Sequence, residues 1–183
     1  KVGGNWSSSG TLTPTNTTVE FNGTGAQSIT KTGGETFNNF TLNKASGDLT
    51  LINQVTVGAT LTLTAGKVLL GANNFVLNGT TAIAGAGLGA FGATSTSYIV
   101  TNGAGGFRQY VGPAARTGNV IFPIGISTSS YTPVQLTNTG TVDSFTVSVA
   151  TGTPTGVTGA NSVDRNWTIT EKTGGGSVSS VAL

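Results

Sequence analysis

The densest cluster of potentially chemical side chains in this chain is Asp164-Arg165 with Trp167 two positions on. An indole beside a guanidinium is what a sugar site uses: the ring stacks on the pyranose and the fork donates hydrogen bonds. The competing reading places Trp167 inside a β-layer, because Trp167-Thr168-Ile169 alternates as a half-buried strand does, with Arg165 pairing locally with Asp164 or Glu171. Alternation favours the second reading. Trp6, near the other end, is expected to cover an end of the structure.

Chemistry beyond that is thinly supplied. There is no His and no Cys, so a Ser-His-Asp triad, a thiol nucleophile and the commonest zinc ligands are all missing from the chain. The acidic residues are Glu20, Glu35, Asp48, Asp143, Asp164 and Glu171. They are too scattered in sequence to make a convincing glycosidase pair or calcium site. The glycine-rich stretches 85–92 and 174–176 lack the Lys-Ser/Thr ending of a phosphate loop. The sequence therefore predicts no enzyme, no cofactor and no metal.

Charge points the same way. Charged residues are 8% of the chain, against roughly 25% in ordinary soluble domains. The formal charge is +2, and the basic residues Lys1, Lys31, Lys44, Lys67, Arg108, Arg116, Arg165 and Lys172 are dispersed, which argues against nucleic-acid binding. No run reaches the roughly 18 apolar residues of a membrane-spanning helix. The opening Lys1-Val2-Gly3-Gly4 has no apolar signal core, so either a signal was removed or the chain is a piece of a longer one.

The elements that must carry these residues are short and regularly spaced. Val19 and Phe21, Phe40 and Leu42, and Leu61 and Leu63 flank one polar residue each and recur every 21 residues. That period, on short strands, is the signature of coils stacked on one another. The first coil is read as Val19-Glu20-Phe21, Ser28-Ile29-Thr30 and Thr36-Phe37. The second is Phe40-Thr41-Leu42, Leu49-Thr50-Leu51 and Val55-Thr56-Val57. The third is Leu61-Thr62-Leu63, Val68-Leu69-Leu70 and Phe75-Val76-Leu77. Flanking residues point in and middle ones out. Glu20, Thr41 and Thr62 thus form an outer column, which Glu20 interrupts as an ice-binding rank. Past Phe107 the strands lengthen, and Phe145-Thr146-Val147-Ser148-Val149 alternates as an antiparallel sheet does.

The expected fold class is all-β: residues 1–104 as a right-handed parallel β-helix of about four coils, and residues 105–183 as a small antiparallel β-sandwich. The last strand, with Val178 and Val181, stands without a closing partner. Either the chain continues further or a neighbouring subunit supplies the missing strand.

Gly4-Asn5-Trp6, the run from Val19 to Ile29, and Phe37-Asn38-Asn39-Phe40-Thr41-Leu42-Asn43 resemble the repeats of large secreted surface proteins of the Bacteroidota. Gly66-Lys67-Val68, Tyr131-Thr132-Pro133-Val134 and Val163-Asp164-Arg165-Asn166-Trp167-Thr168-Ile169 are similar to the module that follows such repeats. The resemblance implies export, through the type IX route, to the cell surface or to extracellular fibres. The expected function is a non-catalytic stalk or fibre subunit that self-associates or meets other surface proteins. The alternative is a carbohydrate-binding or adhesive module, with ice binding less favoured. Candidate contacts are Trp6, Arg165, Trp167, Val178 and Val181.

Overall fold

Strands of three residues with an apolar-polar-apolar pattern can bury both flanks only if something lies on the inner side, and here it is the rest of the same coil. The computed structural model describes residues 1–113, 115–152, 163–174 and 178–183. It is all-β, with 49% strand and no helix, and its centre is a β-solenoid of about six turns.

A partial first turn holds β1 (Trp6–Ser7) and a lone bridge from Val2 to Phe21. The next turn is β2 (Thr18–Phe21), β3 (Gln27–Thr30) and β4 (Glu35–Phe37). Above it lie β5 (Asn39–Asn43), β6 (Leu49–Leu51) and β7 (Val55–Val57). The following turn rounds its first corner within a single strand, β8 (Leu61–Leu69), and ends with β9 (Phe75–Leu77). Gly66, at φ +92°, lies within β8 and a Cβ there would meet the Lys44 side chain. These are the coils that the 21-residue spacing predicts, and Phe21, Leu42 and Leu63 stack in register with no exposure to solvent.

The solenoid does not stop there. β10 (Ser97–Val100) and β11 (Phe107–Val111) add another turn, in parallel with β8 and β9. β12 (Val120–Phe122) and β13 (Ile124–Ser127) follow, and β13 pairs in parallel with β10. The expectation of about four coils therefore falls short by about two. The reason is an insertion: Val68 pairs with Ile99 and Phe75 with Phe107, offsets of 31 and 32 residues, so the repeat disappears from sequence spacing at residues 85–96.

The remaining strands are β14 (Ser130–Tyr131), β15 (Val134–Asn138), β16 (Asp143–Ala150), β17 (Asn166–Glu171) and β18 (Val178–Ala182). They are antiparallel, as the sequence predicts past Phe107, but they grow directly from the coils. β11 carries parallel β9 on one side and antiparallel β16 on the other, and β17 closes that six-stranded sheet. β12, β15 and β18 form a separate three-stranded sheet. Sheet and core both run across positions 104 and 105.

One aromatic spine follows the solenoid axis. Trp6 contacts Phe21, Phe21 stacks on Phe40, Phe40 meets Phe75, Phe75 stacks on Phe107, and Phe107 meets Phe122, with ring centroids 5.3–6.5 Å apart. At the corners, asparagine side chains join one turn to the next. Asn5 accepts from Ser28 N–H, Asn53 from Lys31 N–H, Asn102 from Gly71 N–H and Asn74 from Gly106 N–H, all at 2.9–3.0 Å. Each replaces a ladder bond where the chain bends and strand pairing lapses.

Candidate functional site

Trp6 sits in β1, half-buried over Phe21 and Phe37, and its Nε1 donates a 2.8 Å hydrogen bond to Glu35. It closes one end of the stack, as its position in the sequence suggests. Trp167 lies in β17 on the face shared with Ile169, packed against the core, while Asn166, Thr168 and Thr170 face water. Its Nε1 donates to the Thr132 carbonyl at 3.4 Å. Arg165 donates from Nη1 to the neighbouring Asp164 carbonyl at 2.5 Å. The indole thus packs partly buried against the core, while the guanidinium bonds to its own neighbour.

Val178 and Val181 are 40% and 46% exposed on β18. This strand borders the three-stranded sheet, with only β15 beside it among the described residues. Leu183 follows at 63% exposure. β17 likewise borders its sheet, with only β16 as described neighbour. Among the described residues β17 and β18 thus each leave one strand edge unpaired. An unpaired edge is a row of backbone donors and acceptors, and β18 adds exposed valines to it.

No family model, curated protein or solved structure matches this chain.

A second feature lies inside the coils: at three inward positions, Gln27, Glu35 and Gln109, a buried polar side chain meets a cation. Gln27 occupies the column of Leu49 and Val68, Glu35 that of Val55 and Phe75, and Gln109 that of Val57 and Leu77. Lys44 Nζ donates to Gln27 Oε1 at 2.7 Å, and also to the Gly23 and Gly25 carbonyls. Lys31 pairs with Glu35 at 3.0 Å. Arg116 donates to Gln109 Oε1 through Nη1, and to the Gly79 carbonyl through Nη2 at 3.0 Å. Lys44 and Arg116, two of the basic residues dispersed along the sequence, are 1% and 7% exposed. The available signal was a polar residue at an apolar register position; it points inward but cannot name its partner.

Two adjoining clefts run beside β8 and β10. One, of about 260 Å³, is bordered by Lys44, Asp48 and Lys67. The other, of about 510 Å³, is bordered by Lys67, Ser95, Tyr98, Ser129 and Tyr131. Lys67 Nζ lies 5.4 Å from the centre of the Tyr98 ring, and Tyr98 packs on Tyr131 at 5.2 Å. Burial raises the pKa of both phenols, that of Tyr131 to about 12.

Three further carboxylates make structural contacts. Glu20 takes Lys1 and Asn43, Asp143 accepts from the N–H groups of Ser144 and Thr173, and Asp164 accepts from Gly152 N–H. Among the described residues no group of three or more metal-binding side chains comes together, and no helix is long and apolar enough to cross a membrane.

Proposed function

We propose that this chain is a non-catalytic structural module of an exported bacterial surface protein, a stalk or fibre subunit that associates through strand edges and coil ends. The observation that carries the reading is β18: a sheet-edge strand with Val178 and Val181 exposed on it. The low charge leaves little repulsion to oppose such contact. The resemblance to Bacteroidota surface repeats supplies the extracellular setting. Right-handed winding, from the general preference for right-handed crossovers, and a sandwich-like end module belong to the same reading.

The test is association of the purified chain. Sedimentation and electron microscopy should show concentration-dependent oligomers or filaments that the double variant Val178→Lys/Val181→Lys abolishes. A chain that stays monomeric at all concentrations, or oligomers unaffected by the lysines, would sink the proposal.

Glycan binding is the second reading, and the adjoining clefts around Lys67, Tyr98 and Tyr131 favour it over the Trp167 site. A glycan array, read with Lys67→Ala, separates it from simple assembly. Ice binding loses ground on geometry. The middle-position row of the six-stranded sheet runs Thr36, Thr56, Val76, Arg108, Thr146, Thr170, so a buried valine and an arginine break the threonine rank.

A further inference from the structure

We propose that the cavity beside Arg116 binds a small carboxylate attached to an apolar body. The cavity, about 370 Å³, lies between Ala82–Ile83 and Val120–Ile121. It exists because the parallel ladder of β2, β5 and β8 loses a rung. Ala84 bridges to Thr62 below, while β12 above pairs only with β15 among the described residues. Two layers that elsewhere are hydrogen-bonded are here apart, and a volume in the usual range of small-ligand sites opens between them.

Arg116 lies on the wall of this space, held by two backbone hydrogen bonds to Gly112: its N–H donates to the Gly112 carbonyl and its carbonyl accepts from Gly112 N–H. A guanidinium has five N–H donors. The described contacts use two of them, both on neutral oxygens, Gln109 Oε1 and the Gly79 carbonyl. Nε is buried with no hydrogen-bond partner. No carboxylate pairs with Arg116 among the described residues. Burial lowers its pKa to about 10, so it is still charged at neutral pH. A buried cation with free donors and no counter-charge is costly, and a carboxylate in the cavity that accepts from the remaining Nη N–H groups removes that cost.

The rest of the lining sets the remainder of the ligand. Ala82, Ile83, Leu88 and Val120 offer apolar surface. A single guanidinium fits a monoanion better than a phosphate, which gathers several donors. The matching class is a short fatty acid or an aromatic carboxylate. This inference is independent of the edge-assembly reading above.

Calorimetric titration of the whole chain with hexanoate and benzoate, against hexanamide and benzamide, tests it. One saturable site is expected, with the amides weaker by at least about tenfold, or about 1.4 kcal/mol. The Arg116 Nη–H resonances should shift on binding. Arg116→Gln should abolish binding and Arg108→Gln should retain it. Ala82→Trp leaves Arg116 untouched and fills the mouth, so it should also abolish binding, and it serves if Arg116→Gln does not fold. Amides binding as well as acids, a still Nη–H signal, binding that survives Ala82→Trp, or no saturable site for either acid would each overturn the proposal.

Discussion

Lys44 Nζ donates a 2.6 Å hydrogen bond to the carbonyl of Gly23, the residue one turn below it in the stack. With Gly25 O at 2.8 Å and Gln27 Oε1 at 2.7 Å, the ammonium fills all three of its donors inside the corner of the solenoid. The lysine thereby stitches two coils where strand pairing stops.

Removing it should be costly. Lys44→Met keeps the stem but leaves three oxygens short of a donor, and we expect a loss of about 1–3 kcal/mol in urea unfolding. The pH dependence carries a sign. Burial lowers the native Lys44 pKa below 10.5, with Asp48 opposing. Between the lowered value and 10.5 the unfolded chain binds more protons, so the Lys44 contribution to stability rises with pH across that window. The wild-type minus Lys44→Met difference should show the rise; a flat difference contradicts it.

Leu42 has no exposed surface and sits between Phe21 and Leu63. Leu42→Ala should cost about 2–5 kcal/mol by removing side-chain volume from a packed layer. Leu42→Asp would place an unpaired charge there, and cooperative thermal unfolding followed by circular dichroism should disappear. Wild-type melting for either variant would mean that the layer is not load-sharing.

Tyr131 titrates the other way from Lys44. Its hydroxyl is buried without a partner, and burial lifts its pKa from 10 to about 12. The native state holds the proton longer, so stability from this group is intact below pH 10 and falls as pH rises toward 12. Tyr131→Phe should match or exceed the wild type by up to about 1 kcal/mol at neutral pH and lose less between pH 10 and 12, measured by urea midpoints.

Gly79 tests the closeness of the coils. A Cβ there would lie 1.6 Å from the Ala59 carbonyl oxygen, whereas one at Gly3 would meet nothing within 4 Å. Gly79→Ala should destabilise by about 3 kcal/mol or more, since the obstruction is backbone. Gly3→Ala should stay within about 0.5 kcal/mol of wild type. Equal melting temperatures for the two variants would refute the packing.

Much of the solenoid was legible because its inner face repeats. Val55-Thr56-Val57 or Leu49-Thr50-Leu51 reads as a strand buried on one side wherever it occurs, and the 21-residue step sets which strand lies above which. The turn carrying β10 and β11 does not follow that step, because inserted residues stretch the offset to 31 and 32. Trp167 was read correctly as inward from alternation alone. The segments 153–162 and 175–177, including the start of the last expected strand at Ser177, lie outside the described residues.

Local pattern determined the all-β class, the order of the first three coils and the inward set of Phe21, Leu42 and Leu63, because side-chain alternation is a property of a strand by itself. Only the tertiary structure decided that Lys44 and Arg116 are internal and that antiparallel β16 joins the solenoid's own sheet. It also decided that a rung is missing beside Ile83. The physical reason is that each of these depends on which distant backbone comes alongside. A lysine is a surface charge in its own segment, and becomes a buried cross-link only when another coil offers it three oxygens.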